Sequence, residues 1–130
     1  MTPVPTYNFF HRIFLALSGI YIAFKRERHL KFHALMGVCL IFPLIWVKVA
    51  TYKLILLIIM IGLLIVVELI NTAIETIVDM ITKQYSIRAK ITKDISSGAV
   101  LIVAILTASL GMFIYAPSVY NLVIGVIVGY

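Results

Sequence analysis

Residues 67–80 read VELINTAIETIVDM, and here a helical run that has carried no charge since Lys53 acquires Glu68, Asn71, Glu75 and Asp79. At ~100° per residue, offsets of three, seven and eleven return a side chain to nearly the same azimuth, so these four positions share one stripe. One face of a hydrophobic helix thus carries three carboxylates and an amide. An ionised carboxylate at membrane depth needs a cation, a metal or a water-filled cavity, which makes such a stripe a functional candidate by default. For Asp79 alone a solvated helix end explains the charge. Glu68 and Glu75, embedded among Ile, Leu and Val, are not explained that way.

The surrounding chain places this helix in a membrane. Of 130 residues 63% are hydrophobic, and the mean hydropathy is +1.14, more apolar surface than a water-soluble domain of this size can cover. The sequence therefore reads as an all-α integral membrane protein. Eleven Lys and Arg against five acids fit the positive-inside rule rather than nucleic-acid binding, since no long basic run or aromatic-interleaved basic patch occurs. The lone Cys39 can form neither an internal disulfide nor a thiolate metal site. His11, His29 and His33 lack a zinc-type spacing; His29 and His33, one turn apart, suit capping or interfacial hydrogen bonds.

Outward from the stripe, residues 1–5 hold two prolines, no periodic pattern and no targeting signal. Over 7–26, Phe9, Phe10, Ile13, Phe14, Leu17, Ile20, Tyr21 and Phe24 recur at helical spacing, predicting an N-terminal amphipathic helix along the membrane surface. Residues 32–47 form a short first span, extended by snorkelling of Lys31 and Lys48, with Trp46 and Tyr52 at an interface. The second span, 53–81, is ~43 Å long against a ~30 Å hydrocarbon core, so its end emerges. A polar, basic connector over 83–93 leads to a third span at 95–116, where Ala104, Ala108 and Gly111 offer a face for close helix contact. Pro117 ends that span and leaves an apolar tail over 117–130. Five cations precede the first span, four lie in the connector, and only Lys48 and Lys53 lie between the first two spans. The N-terminus and the connector should therefore face the cytoplasm. All five acids, Glu27, Glu68, Glu75, Asp79 and Asp94, then lie on or within reach of that side.

Carboxylates gathered at one interface suit metal and phosphate chemistry. Mg²⁺ with nucleotide phosphates takes one or two carboxylates, the rest of its octahedron being water and phosphate oxygens. A hydroxyl nucleophile needs a further carboxylate as base, and a cation such as Lys93 balances charge on a transferring phosphoryl group. Phosphoryl transfer from ATP to a membrane lipid alcohol uses all three parts, although no Gly-rich phosphate loop or protein-kinase signature is present. Two other classes compete. A small non-enzymatic membrane assembly needs no one-sided stripe, and a proton-coupled transporter explains Glu68 but not Asn71, Glu75, Asp79 and Glu27 at the same interface. Glu27 by itself, within KRERHLK, reads as a surface ion pair.

The runs ALSGIYIAFKRERHLKFH (16–33), VELINTAIETIVD (67–79) and AKITKDISSGAVLI (89–102) resemble the prokaryotic diacylglycerol kinase family, which includes undecaprenol kinases. The resemblance extends over residues 9–111. It implies a small homotrimeric lipid kinase of the bacterial inner membrane, each subunit having a surface helix and three transmembrane helices, with active sites shared between neighbours. Such an enzyme moves the γ-phosphoryl group of ATP to the primary hydroxyl of diacylglycerol, giving phosphatidic acid, with Mg²⁺ as cofactor. Carried over by position, Glu68 is the general base and Asn71 positions the acceptor. Glu27 and Glu75 hold the Mg²⁺ that accompanies ATP, and Asp79, Lys93 and Asp94 contact nucleotide or organise the site. Undecaprenol is the alternative acceptor, because His33 following Arg28 and SSGAVL at 96–101 look like that branch. Tyr21 and Lys31 stand where related sequences often carry Arg, a difference that matters for phosphate contacts.

Overall fold

Asn8 starts the first helix by accepting the His11 backbone N–H on its side chain at 2.9 Å, which satisfies one of the donors a helix start leaves unpaired. The computed structural model describes residues 8–45 and 49–128, the side chains of 45, 118, 119 and 121–128 excepted. Residues 1–7, Trp46 and Lys48, and the expectations attached to them, lie outside the described residues. The order is α1 (Phe9–Arg26), α2 (Arg28–Ile41), a 3-10 turn (Phe42–Ile45), α3 (Thr51–Ile81) and α4 (Ile87–Val128). The described fold is all-α, and two of its helices, Thr51–Ile81 and the Ile87–Pro117 part of α4, are long and apolar enough to cross a membrane.

A single residue separates α1 from α2. Glu27 turns extended, with φ −93° and ψ 123°, while its own N–H still bonds the Ala23 carbonyl. Lys31, expected to snorkel, instead donates to the Lys25 carbonyl at 2.9 Å. That carbonyl belongs to the last turn of α1 and has no partner within the helix. The junction is therefore clasped from both sides, and Glu27 is its pivot. No side chain of α1 is buried, and Phe9, Phe10, Phe14 and Tyr21 are exposed.

Three expected boundaries shift. The segment expected as one span over 32–47 is helical from Arg28, and its α-helix stops at Ile41. Pro43 has no N–H to give the Cys39 carbonyl, so the chain tightens into the 3-10 turn. The connector expected over 83–93 is shorter, because α4 begins at Ile87 and takes in Lys90 and Lys93. Ile87, Ile91 and Ile95 repeat at one-turn spacing, and the Lys90–Asp94 pair at i, i+4 supports the same turn. Finally, α4 does not end at Pro117 but passes through it to Val128. Proline forfeits one backbone hydrogen bond there, yet in an apolar run the neighbouring backbone groups have no better partner than the helix itself.

The closest association is between α3 and α4, with α2 laid along α3. Leu44, Leu57 and Ile114 form a buried cluster at one end, supported by the Tyr115 hydroxyl donating to the Leu40 carbonyl. The small-residue face of α4 turns towards α2: Ala104 and Ala108 line a cleft with Gly37, and a Cβ at Gly111 would touch Leu40 at 3.4 Å. Gly37 is tighter still, since a Cβ there would meet Ile61 Cγ2 at 2.6 Å. That methyl sits on a stiff β-branch and cannot swing aside. Gly37→Ala is therefore expected to lower stability by about 1–3 kcal/mol, the range for overpacking. Gly62→Ala, with nothing within 4 Å, should gain stability through helix propensity. Thermal unfolding of both variants in one detergent checks the contrast.

Candidate functional site

Along α3 the stripe runs from buried to exposed. Glu68 is 4% exposed and Asn71 8%; Glu75 is half-buried and Asp79 open. Two clefts flank it. On one side α1 lies against α3 and leaves an open groove of about 690 Å³, with Gly19, Ala23 and Glu27 on one wall and Thr72, Glu75 and Asp79 on the other. Ala16, Gly19 and Ala23 keep the α1 wall low, because their side chains are small. On the other side, α2 and α4 frame a cleft of about 260 Å³ lined by His29, His33, Glu68, Glu75 and Ser97. Glu75 lines both.

The second cleft continues into an apolar one of about 200 Å³ lined by Met36, Gly37, Leu64, Ala104 and Ala108, with His33 and Ala104 common to the two. A polar cleft at Glu68 thus adjoins a hydrophobic one. That is the shape an amphiphile with one polar end would occupy.

Hydrogen bonds tie the stripe to α4. The Lys93 ammonium donates to Asp79 at 2.6 Å, crossing between helices. Ser96 donates to the Asn71 side-chain oxygen at 2.6 Å, and the Asn71 amide donates to Glu75 at 3.3 Å. Lys90 pairs with Asp94 at 2.6 Å on the exposed side of α4. Among the described residues Glu68 takes no hydrogen bond or ion pair, so a buried carboxylate is left facing the cleft. The basic side chains that share the cleft with it are His29 and His33.

Of the seven residues singled out in the sequence, Glu27, Glu75 and Asp79 meet on the α1–α3 groove. Lys93 reaches that groove through Asp79. Asp94 lines a neighbouring surface cleft with Asp79 and Lys93 but not the groove itself. The cleft at Glu68 and the groove at Glu27 have Glu75 in common. Asn71 is buried beside Glu75. Sequence reasoning gave no site role to Ser96, Ser97, His29 or His33. The one-turn spacing of the histidines immediately after Glu27 was a usable signal, whereas nothing in the spacing of Ser96 points to Asn71, 25 positions away.

Hard oxygen donors suit a small divalent cation, and of the three carboxylates on the α1–α3 groove Asp79 is paired with Lys93, which leaves Glu27 on one wall and Glu75 on the other. Among the described residues no three or more His, Cys, Asp or Glu side chains gather as a metal cluster. Two such carboxylates would suit a cation that takes its remaining ligands from water and phosphate oxygens, rather than one caged by protein.

Residues 14–115 match the sequence pattern of prokaryotic diacylglycerol kinases. The chain belongs to that family. All seven candidate residues fall within the match. The kinase is 32% identical over 110 residues to an undecaprenol kinase of Bacillus subtilis, an alignment covering 85% of this chain and 89% of that protein. It is equally 32% identical over 110 residues to a diacylglycerol kinase of Synechocystis, covering 84% of this chain and 63% of the relative. It is thus a lipid kinase of this general type, carrying apolar helices suited to a membrane.

Proposed function

We propose that this kinase transfers the γ-phosphoryl group of ATP to the primary hydroxyl of a membrane lipid alcohol. The observation that carries the proposal is the place of Glu75, which borders both the carboxylate-lined groove beside α1 and the cleft that holds Glu68. A nucleotide in the first and an acceptor in the second would meet along the roughly two turns of α3 between Glu68 and Glu75. The site faces the cytoplasm in this reading, where the basic residues around it concentrate. α2 and its 3-10 turn serve as the first span. Neighbouring subunits of a homotrimer complete each other's sites and cover part of the apolar surface that one subunit leaves exposed on α1, α3 and α4.

Glu27 and Glu75 fit Mg²⁺ by donor chemistry and by sharing a groove. Bound there with ATP, Mg²⁺ would neutralise and orient the phosphate oxygens. Glu68 accepts the proton of the lipid hydroxyl as the new oxygen–phosphorus bond forms. The bond from the γ-phosphorus to the bridging oxygen breaks in line, and ADP leaves with that electron pair. Lys93, aimed by Asp79, offsets charge on the transferring group, and Asn71 orients the reacting groups. Asp94 steadies the start of α4 through Lys90, and contacts nucleotide from the neighbouring cleft.

Diacylglycerol is the acceptor for which the family is named. Undecaprenol has an observation of its own, since the relative with that activity is matched over 89% of its length. Purified protein in mixed micelles with labelled ATP, Mg²⁺ and equal amounts of the two lipids tests both levels. Labelled lipid that disappears with EDTA is expected, with undecaprenyl phosphate the larger product. No labelled lipid from folded, trimeric protein would return the transporter and assembly readings.

A further inference from the structure

Ser96 is 8% exposed, on α4, directly across from Asn71. Its hydroxyl oxygen lies 2.6 Å from the Asn71 side-chain oxygen and 2.9 Å from the Lys93 carbonyl. A hydroxyl has one proton to give, whereas an asparagine side chain has an acceptor end and a donor end that exchange places when the amide turns over. Two arrangements therefore compete. In the first, Ser96 donates to Asn71 and the Asn71 amide donates to Glu75. In the second, the amide turns to donate to Ser96, Ser96 donates to the Lys93 carbonyl, and the Asn71 oxygen faces the Glu75 carboxylate. That sets two acceptors against each other and is unfavourable while Glu75 is ionised.

We propose that Ser96 is a positioning residue for Glu75, acting through Asn71. Its proton fixes the amide so that a donor points at one Glu75 oxygen, leaving the other oxygen free for a cation in the α1–α3 groove. The inference rests on the reading above that Glu75 holds the metal. It assigns part of the tuning of that carboxylate to α4, where partners once removed from a metal typically set affinity as strongly as 10–100-fold. Asn71 then acts on the carboxylate rather than only on the acceptor lipid.

The test uses the full-length protein in detergent and the variants Ser96→Ala and Ser96→Thr. Alanine is the best helix former, so Ser96→Ala should fold. Mn²⁺, which shares the oxygen preference of Mg²⁺, is titrated with a non-hydrolysable ATP analogue and followed by electron paramagnetic resonance. KM for the lipid acceptor is measured separately. Ser96→Ala is expected to weaken Mn²⁺ binding about 10-fold with the acceptor KM unchanged, and Ser96→Thr to return it to within about 2-fold of wild type, since threonine keeps the hydroxyl. A merely structural role would lower the unfolding midpoint without moving the Mn²⁺ titration. Wild-type Mn²⁺ affinity in folded Ser96→Ala overturns the inference and leaves the kinase reading standing. A wild-type protein that binds no Mn²⁺ with nucleotide overturns the metal reading and this inference with it.

Discussion

Glu68→Gln is expected to fold, assemble and bind nucleotide as the wild type does, yet to lose about 10²–10⁴-fold in turnover, the usual contribution of a positioned general base. The amide keeps the size and shape of the carboxylate, so the packing around α3 should not change. Stability should hold or rise, because Glu68 is 4% exposed and takes no hydrogen bond or ion pair among the described residues. A charge in such a place costs desolvation that His29 and His33, across the same cleft, offset only in part. What the charge can do is accept a proton from a hydroxyl in the cleft, and Gln cannot. The measurement is lipid phosphorylation at saturating ATP and Mg²⁺, beside thermal unfolding of the same preparation. Turnover within a few-fold of wild type would remove Glu68 as the base. Loss of turnover together with loss of the fold would leave Glu68→Asp to decide, since it retains the charge while shortening the reach.

Much of this site was legible because helical periodicity is a strong signal over a long apolar run. The stripe Glu68, Asn71, Glu75, Asp79 needed only 3.6 residues per turn, and α3 carries it as expected, from buried Glu68 to open Asp79. What periodicity cannot supply is the side chain on another helix that meets the stripe. Ser96 reaches Asn71 across 25 positions and Lys93 reaches Asp79 across 14, contacts created by the way α4 folds back on α3. Lys93 stood out because a cation beside an acid is conspicuous in an apolar chain. Ser96 did not, because a small hydroxyl residue occurs in membrane helices for many reasons. The ends of helices were the weakest part of the reading. Pro43 and Pro117 look alike in sequence, but the first coincides with the change from α-helix to a 3-10 turn and the second lies within a continuous helix. Proline removes the same donor in both places; what differs is whether the neighbouring backbone has any alternative to remaining helical.

The second large effect is expected at Glu75, and it should differ in kind from the first. Glu68 borders one cleft; Glu75 borders both, and also accepts the Asn71 amide at 3.3 Å. Glu75→Gln preserves volume but removes half of the negative charge that Glu27 and Glu75 together present to the α1–α3 groove. It also sets a donor end of its own against the Asn71 amide, so the hydrogen bond that orients it is no longer assured. A loss of at least about 10²-fold in kcat/KM for nucleotide is expected, the scale on which one preorganised electrostatic partner acts. Unlike Glu68→Gln, the variant should also bind Mn²⁺ with a non-hydrolysable ATP analogue far more weakly, while the acceptor KM moves little. Higher Mg²⁺ should recover part of the rate, because the defect lies in occupancy as well as in chemistry. If Glu75→Gln bound the metal–nucleotide pair like wild type and lost only turnover, the carboxylate would belong with Glu68 on the acceptor side, and Glu27 would need a different partner for the cation.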